Sequence, residues 1–326
     1  MTQLYVVGGQ QRHLRKLQVG DDDWHGYHKG MILRVDSTTG RSELCAEYTS
    51  PPEVCPDNDP EIVFQASAVQ GDRFYTCTPT EVLIYALPSF DLVGYVSLPC
   101  FNDVHHVRPT ASGTILVANA GLDMILEITP DGRICQVYNV VGEDPWARFS
   151  PDVDYRRVES TKPHQSHPNY ISMLDGEVWV TRFRQGDTMC LADPERRISI
   201  STDRIHDGVE HEGRLYFTTV NGTIVVANPQ TLQVEDIIDL GTMHPEGTLL
   251  GWCRGVMLED NEMWVGFSRI RPTKTRENVT WLLRGFKRMQ GTHVACYDLA
   301  ERRLLADIDL EQAGLNTIFS VFPATD

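Results

Sequence analysis

No hydrophobic run in the 326-residue sequence approaches the roughly 18 apolar residues that a membrane-spanning helix requires. The first residues, MTQLYVVGG, contain no basic stretch followed by an apolar segment and a small-residue cleavage site. We therefore expect neither a membrane span nor a secretory signal, and we predict a cytoplasmic protein that does not bind membranes.

Paired cysteines are also absent, because the eight cysteines are scattered and none belongs to a CxxC pair. Most of them lie inside apolar, strand-like runs. This distribution favours reduced, partly buried thiols over a disulfide framework or a cysteine metal site, and it is typical of a reducing compartment.

Basic residues are few relative to acidic ones, 29 against 45, which gives a formal net charge of −16. This charge argues against nucleic acid or an anionic membrane as a partner over most of the surface. No glycine-rich phosphate loop is present. No nucleophile elbow or Ser-His-Asp order supports covalent hydrolysis either.

What the sequence does contain is a repeat of about forty residues. The clearest copy is residues 101–140, where four short apolar strands are predicted at His106–Arg108, Thr114–Ala118, Met124–Ile128 and Ile134–Tyr138. The turn sequences ASG, NAGLD and TPDG separate them. Each copy therefore reads as one four-stranded antiparallel unit.

The same order of strands and turns recurs along the whole chain, and the remainders at its two ends add up to one further unit. The predicted units are 61–99, 101–140, 164–202, 204–240, 251–310, and 314–326 together with 1–50. We predict an all-β fold, a single six-bladed β-propeller spanning 1–326 with four antiparallel strands per blade. Its last blade is closed by the N-terminal strands plus the C-terminal strand, which leaves no free sheet edge. A two-sheet sandwich would not require such a repeat.

The long connections are predicted to lie on one face of the propeller. They are residues 9–29, 141–163, 241–250 and 268–291. In a four-stranded blade the turns alternate between the two ends, and all the short third-to-fourth turns fall on the opposite face. Insertions without a function would be expected on both faces of the propeller. We therefore expect the functional site to lie on the face that has the long loops.

Histidines from three consecutive blades are predicted to reach the channel at that face. They are His105 and His106 in the second blade, His164 and His167 in the third, and His206 in the fourth. Because adjacent strand residues point in opposite directions, only one of His105 and His106 can face the axis, and the register favours His106. In the third blade His167 is favoured over His164.

Such a set of neutral imidazoles suits a divalent transition metal, Fe(II), Zn, Cu or Ni, better than Ca or Mg. A channel histidine can also be an ordinary hydrogen-bonded core residue, and that alternative stays open. The carboxylates of Asp103, Asp207 and Glu210 could orient a ligating ring as hydrogen-bond acceptors. Further ligands or lid residues over the same face are predicted at Trp24, His25, His28 and His244.

The insertion in the fifth blade is basic in an otherwise acidic protein. It contains Arg269 and Arg271 among seven basic residues, against the single acid Glu277. Such a cluster above the channel would attract an anionic ligand. Arg254, at the inner end of the same blade, could grip a carboxylate or phosphate with two hydrogen bonds. A solvated charge run or an oligomer contact is the alternative interpretation.

Two segments show the repeat most clearly, HPNY at 167–170 and GTILVANAGLDMILEI at 113–128. The repeat resembles that of a group of six-bladed propellers. This group includes gluconolactonase- and regucalcin-like proteins, strictosidine-synthase-like proteins and NHL-repeat proteins. In the lactonase branch, the resemblance implies a calcium-type ion held by Glu, Asn and Asp. Here only Asn169 matches that chemistry. As a site, the histidine set is similar to the four-histidine iron centre of the longer, seven-bladed carotenoid-cleaving propeller enzymes.

The sequence thus predicts a metalloenzyme that acts on a small anionic metabolite. His106, His167 and His206 would hold the metal, which would serve as Lewis acid or dioxygen-binding centre. Arg254 would orient the substrate, and Glu210 or Asp207 would act as general base. Two alternatives remain: a non-catalytic propeller that binds a protein or ligand on the same face, and a calcium-dependent lactonase-like hydrolase.

Overall fold

Short runs rich in valine, isoleucine, leucine and aromatic residues, bounded by Gly, Asp and Pro, form the strands of the protein. The computed structural model describes residues 2–12, 26–58, 60–200, 202–270 and 288–325. The strands, in chain order, are β1 Gln3–Gln11, β2 Tyr27–Asp36, β3 Ser42–Tyr48, β4 Ala68–Gln70, β5 Arg73–Thr78, β6 Glu81–Ala86, β7 Asp91–Val96, β8 Val104–Pro109, β9 Ile115–Asn119, β10 Met124–Ile128, β11 Ile134–Asn139, β12 Pro168–Leu174, β13 Glu177–Arg182, β14 Asp187–Cys190, β15 Arg197–Ser199, β16 Ile205–His211, β17 Arg214–Thr219, β18 Thr223–Asn228, β19 Gln233–Asp239, β20 Thr248–Leu249, β21 Trp252–Glu259, β22 Glu262–Ser268, β23 Arg288–Met289, β24 His293–Asp298, β25 Arg303–Asp309 and β26 Thr317–Pro323. Short 3-10 helices lie at Pro52–Val54, Ala120–Leu122, Tyr155–Arg157 and Leu240–Met243.

These strands form six four-stranded antiparallel sheets, the blades of the predicted propeller. Blades one to four are β4–β7, β8–β11, β12–β15 and β16–β19. Blade five is β21, β22, β24 and β25, and the closing blade is ordered β26-β1-β2-β3. The prediction of a six-bladed propeller is therefore confirmed. The short strands β20 and β23 pair in parallel beside blade five.

Ring closure depends on the pairing of the two ends of the chain. Strand β26 pairs antiparallel with β1, with Val6 opposite Val321. A Cβ atom at Gly8 would lie 1.8 Å from the carbonyl oxygen of Thr317, so only glycine allows the two strands to approach this closely. The predicted closure by N-terminal and C-terminal strands is confirmed.

The core is divided among the six interfaces between neighbouring blades. Each interface contains its own cluster of buried apolar side chains, for example Trp179 of blade three against Phe217 of blade four, or Leu126 of blade two among residues of blade one. The remaining interfaces are built in the same way. Burial of one such side chain stabilises a fold by about 1.5–3 kcal/mol. The interfaces thus make a rigid ring on which the site is placed.

Irregular pairing marks the leading ends of most inner strands. The register shifts between Val104 and His106 in β8, between Pro168 and Tyr170 in β12, and between His206 and Val209 in β16. Strands β21 and β26 carry similar shifts. A β-bulge bends its strand and changes the direction of side chains. These bulges therefore decide which residues face the channel.

All eight cysteines are free, and six of them are buried. Within the described ranges, no helix is long and apolar enough to cross a membrane.

Candidate functional site

A cavity of about 240 Å³ lies at the mouth of the channel, at the leading ends of the inner strands. It is lined by His105 of blade two, by His164 and His167 from the segment just before β12, and by His206 of β16. Arg254 and Phe319 complete the wall on the opposite side. Four of the five predicted histidines are thus brought to one cavity.

Asp103, His164 and His167 form the group within the described residues that could hold a metal ion. The Nδ1 atoms of His164 and His167 are 2.9 Å apart, and Oδ2 of Asp103 lies 3.9 Å and 3.7 Å from them. The point equidistant from these three atoms lies about 2.1 Å from each, which is the usual bond length of Zn²⁺ to imidazole nitrogen and carboxylate oxygen. The group therefore has the spacing of three ligands around one ion.

The bulge at the start of β8 explains why Asp103 and His105 face this cavity. Asp103 adopts a left-handed conformation with φ of 51°. His105 is the extra residue between the paired positions Val104 and His106. Its Nδ1 lies 3.1 Å from the backbone oxygen of Asp103 and 3.3 Å from the Oδ1 atom. The proton on Nδ1 is therefore donated to Asp103, and the lone pair of His105 is on Nε2.

His106, the favoured ligand in the sequence interpretation, is placed elsewhere by the structure. Its Nδ1 accepts the backbone N–H of Ile171 at 2.9 Å, and its Nε2 donates to the carbonyl of Ser67 at 3.3 Å. The ring stacks on Tyr170 at 4.0 Å. Burial lowers the pKa of His106 to about 3. With both nitrogens occupied, His106 ties three neighbouring blades together and has no lone pair for a metal.

Asp123 holds the segment that carries His164 and His167. Its carboxylate accepts the backbone N–H groups of Gln165, Ser166 and His167, each at 2.8 Å. It also pairs with Arg148 at 2.9 Å. The side chain of Asp123 is only 1% exposed. Sequence reasoning missed this residue, which lies in the NAGLD turn and adopts φ of 55°.

Thr161 fixes the tautomer of His164. The hydroxyl of Thr161 donates to the carbonyl of Gly121 at 2.6 Å, so its oxygen is free to accept the Nε2 proton of His164 at 3.3 Å. The Nδ1 of His164 is then unprotonated and faces Asp103 and His167. A hydrogen bond at the remote nitrogen commonly orients metal-binding histidines in this way.

The protonation states suit metal binding. Burial holds the pKa of His167 well below its usual value, and the neighbouring His105 adds to the effect. Burial also lowers the pKa of His164. For Asp103 burial opposes ionisation, but the neighbouring His105, which donates a hydrogen bond to this residue, favours the ionised form, and the pKa of the carboxyl lies well below its usual value. Neutral imidazoles and an ionised carboxylate are the forms that bind metals.

His206 lines the cavity but lies apart from the three-residue group. The ring of Phe183 contacts His167 at 5.4 Å between centroids and His206 at 5.5 Å. His206 Nδ1 is 3.1 Å from the amide nitrogen of Asn169, while Nε2 is buried with no hydrogen-bond partner among the described residues. Burial, together with Arg254, holds the pKa of His206 well below its usual value.

Similarity to known proteins is confined to structure. No protein-family profile matches the sequence, and no curated protein matches it. The chain is similar to a protein of unknown function from Bacteroides caccae, with 13% identity, a TM-score of 0.64, and 100% of both chains covered. The likeness agrees with the six-bladed β-propeller fold of the present chain.

Two further solved structures show the same likeness. A chain of a nidogen/laminin complex has 10% identity and a TM-score of 0.58, with 99% of this chain and 98% of that chain covered. A functionally unknown protein from Desulfotomaculum acetoxidans DSM 771 has 10% identity and a TM-score of 0.51, with 98% and 89% covered. Identities this low show the fold alone.

Basic residues outnumber acidic ones in the lining of the cavity. Of its described charged residues, five are cationic and two, Glu61 and Asp103, are acidic. The guanidinium carbon of Arg254 lies 4.6 Å from the ring centroid of Phe319 and 5.6 Å from that of Trp252. The cationic residues of the wall are Lys162, Arg184, Arg204, Arg254 and Arg269.

Several predicted residues are not part of this cavity. Glu210 is exposed and lies near the far end of β16, beside the turn that begins at Glu212. His28 lies in β2 next to Ile62, outside the lining. His244 hydrogen-bonds the hydroxyl of Tyr297 at 2.8 Å. Glu210 is thus too remote to act as a base here, and His28 and His244 do not cover the cavity as described.

Of the residues predicted as a lid, Arg269 lines the cavity. It pairs with Glu311 and donates to the side-chain oxygen of Gln11, and these bonds fix it to the closing blade. The remaining predicted lid residues, Trp24, His25 and Arg271, lie outside the described residues.

Asp207, the other predicted base, is a buried structural acid. Its Oδ2 accepts the hydroxyl of Thr218 at 2.5 Å and the backbone N–H of Gly255 at 2.9 Å. It does not line the cavity. Burial raises its pKa from 3.8 to about 6, although Thr218, Gly255 and Arg254 act in the opposite direction.

The raised pKa of Asp207 gives a measurable pH dependence. The folded protein binds this proton more tightly than the unfolded chain does, so the free energy of unfolding falls as pH rises from 3.8 to about 6. Between pH 4.5 and 7.5 the loss should be about 2 kcal/mol. The variant Asp207→Asn keeps an acceptor oxygen but does not titrate. Its free energy of unfolding, measured with urea, should therefore lack this fall of about 2 kcal/mol between the two pH values. An unchanged difference between the two pH values would mean that Asp207 does not titrate in this way.

Proposed function

We propose that this propeller is a metal-dependent enzyme that acts on a small anionic metabolite at the mouth of its channel. The observation that carries the proposal is the triangle of Asp103 Oδ2, His164 Nδ1 and His167 Nδ1, which leaves room for one ion at bonding distance from all three. The ligand set revises the sequence interpretation. Asp103 and His164 join His167 in place of His106 and His206.

The donor chemistry favours a transition metal. Two imidazole nitrogens and one carboxylate oxygen are typical of catalytic Zn²⁺ and of non-haem Fe(II), in sites that keep a position for substrate or water. When bound, such an ion polarises a substrate oxygen or lowers the pKa of a bound water. Calcium prefers six to eight oxygen ligands, so it fits this set less well.

His105 is the base that we propose for proton transfer. Its Nδ1 proton is donated to Asp103, at 3.1 Å from the backbone oxygen and 3.3 Å from the side-chain oxygen, and this leaves the Nε2 lone pair available. Its ring lies 4.4 Å from that of His167, so it adjoins the ligand group. A neutral imidazole oriented by a carboxylate is a common general base. His105 replaces Glu210 and Asp207 in this role.

The charge of the wall supports an anionic substrate. Five cationic side chains line the cavity of a protein whose net charge is −16, and one of them, Arg269, is paired with Glu311. A local positive field in a narrow cavity raises the concentration of anions within it. Arg254, held against Phe319 and Trp252, is suited to orient such a ligand.

The test compares three samples of untagged protein: as purified with bound metal, stripped with a chelator, and His167→Ala. Each is incubated with a metabolite extract, and anionic compounds are followed by mass spectrometry. We expect at least one small anion to be consumed by the metal-bound protein and by neither of the others. Stoichiometric metal with no anion consumed would favour a non-catalytic propeller, and stimulation by Ca²⁺ alone would favour a lactonase-like hydrolase.

A further inference from the structure

The hydrogen bonds of Asn169 determine which nitrogen of His206 carries its proton. The amide nitrogen of Asn169 lies 2.9 Å from the carbonyl oxygen of Ile205, which fixes the orientation of the amide. The same nitrogen lies 3.1 Å from Nδ1 of His206. Because an amide nitrogen only donates, Nδ1 must accept, and the proton of the neutral ring is on Nε2. His206 therefore presents an N–H donor.

This donor needs an acceptor. His206 is 4% exposed, lines the cavity, and its Nε2 has no hydrogen-bond partner among the described residues. A buried polar group without a partner is destabilising, so such groups point to a water or ligand atom. Its single proton on Nε2 also means that His206 offers no lone pair to a metal. This side chain is therefore suited to donate a hydrogen bond to an anion.

Arg254 supplies a second set of donors on the same wall. Its guanidinium carbon lies 5.6 Å from the ring centroid of Trp252 and 4.6 Å from that of Phe319. Contacts with aromatic rings restrict the orientation of a guanidinium, whose N–H donors lie in its own plane. A planar carboxylate matches this edge with two parallel hydrogen bonds.

We infer that His206 and Arg254 form a carboxylate-binding subsite in the cavity, separated by the ring of Phe183 from Asp103, His164 and His167. The inference deepens the proposed function and rests on it for the second anchoring point. The substrate class is a small carboxylate whose carboxylate group binds His206 and Arg254 and whose other end bears an oxygen that faces the three-residue group. A cavity of about 240 Å³ restricts the class to small molecules.

The chemistry of the two donors favours a carboxylate over a phosphate. The planar guanidinium of Arg254 matches the two coplanar oxygens of a carboxylate, and the neutral imidazole of His206 adds one N–H donor. A phosphate presents three strong acceptor oxygens and therefore calls for more donors than this pair supplies. Inorganic phosphate is therefore the competing probe.

The experiment measures anion binding to chelator-treated protein by isothermal titration, with malonate, inorganic phosphate and glycerol as probes. We expect malonate to bind more tightly than phosphate, and glycerol not to bind. Arg254→Lys keeps the positive charge but removes the pair of parallel N–H donors of the guanidinium. His206→Phe keeps an aromatic ring but removes the N–H donor. Each should weaken malonate binding by about tenfold or more. Arg302→Lys and His211→Phe, outside the cavity, are the matched controls.

Unchanged malonate affinity in both variants, or tighter binding of phosphate than of malonate to the unmodified chain, would overturn the inference. If His206→Phe fails to fold, Arg254→Lys decides alone. Zn²⁺ binding to the same proteins separates the two proposals. Normal metal binding without malonate binding overturns only the subsite, and malonate binding without metal binding overturns only the metal-dependent function.

Discussion

Replacement of His167 by alanine is expected to reduce the affinity of the protein for Zn²⁺ or Fe²⁺ at least about a hundredfold. The substitution removes one of three atoms that surround a common point, and the remaining pair, Asp103 Oδ2 and His164 Nδ1, is 3.9 Å apart. Metal content after dialysis, measured by mass spectrometry on untagged protein, should fall from one equivalent to a small fraction of one.

The control for this prediction is His211→Ala. His211 is also a histidine on an inner strand, but its Nε2 bonds the carbonyl of Asp260 at 3.0 Å, outside the cavity. Its replacement should leave metal content unchanged. Equal metal content in the two variants would show that His167 is not a ligand. It would then be an ordinary hydrogen-bonded core histidine.

Replacement of Asp123 by alanine should affect both stability and metal binding. Three backbone N–H groups and the side chain of Arg148 would lose their acceptor. Loss of buried acceptors of this kind is expected to lower the free energy of unfolding by about 3–5 kcal/mol. Because the same bonds hold the segment from His164 to His167, metal affinity should fall by about 10- to 100-fold.

Arg148→Ala separates these two effects. It removes the ion pair of Asp123 and one hydrogen bond to the carbonyl of Pro163 but keeps the three backbone hydrogen bonds that Asp123 accepts, so it should lower stability while reducing metal affinity less than Asp123→Ala does. Urea unfolding and Zn²⁺ titration of both variants provide the measurements. If folded Asp123→Ala binds metal as tightly as Arg148→Ala, the proposed positioning role of Asp123 is contradicted.

The fold was accessible from the sequence because its repeat is local. The turn residues and strand composition of 101–140 mark four strands, and the observed strands β8 to β11 begin and end within two residues of the predicted ones. Closure was accessible because a strand at each end of the chain would otherwise lack a partner. The pairing of Val6 with Val321 satisfies that requirement.

The site was accessible only in outline. The repeat places His105, His164, His167 and His206 at the leading ends of three inner strands, and all four line one cavity. Strict alternation along β8 favoured His106 over His105, but the bulge between Val104 and His106 reverses the two. A bulge of this kind depends on tertiary pairing and has no reliable sequence signal.

The roles of the carboxylates show the same limit. Asp103 was interpreted as an acceptor for a ligating ring, yet its left-handed backbone conformation brings Oδ2 to 3.7 Å from His167 and 3.9 Å from His164. Asp123 was not singled out at all. Its function depends on a segment more than forty residues later in the chain, and no local pattern encodes that contact.

The most direct test is X-ray diffraction from crystals of the untagged protein grown with Zn²⁺, with data collected on both sides of the zinc absorption edge. We predict one strong anomalous peak at about 2.1 Å from Asp103 Oδ2 and from the Nδ1 atoms of His164 and His167. A peak at His206 or elsewhere, or none in the cavity at full metal loading, would contradict the assignment of these three residues as the metal site.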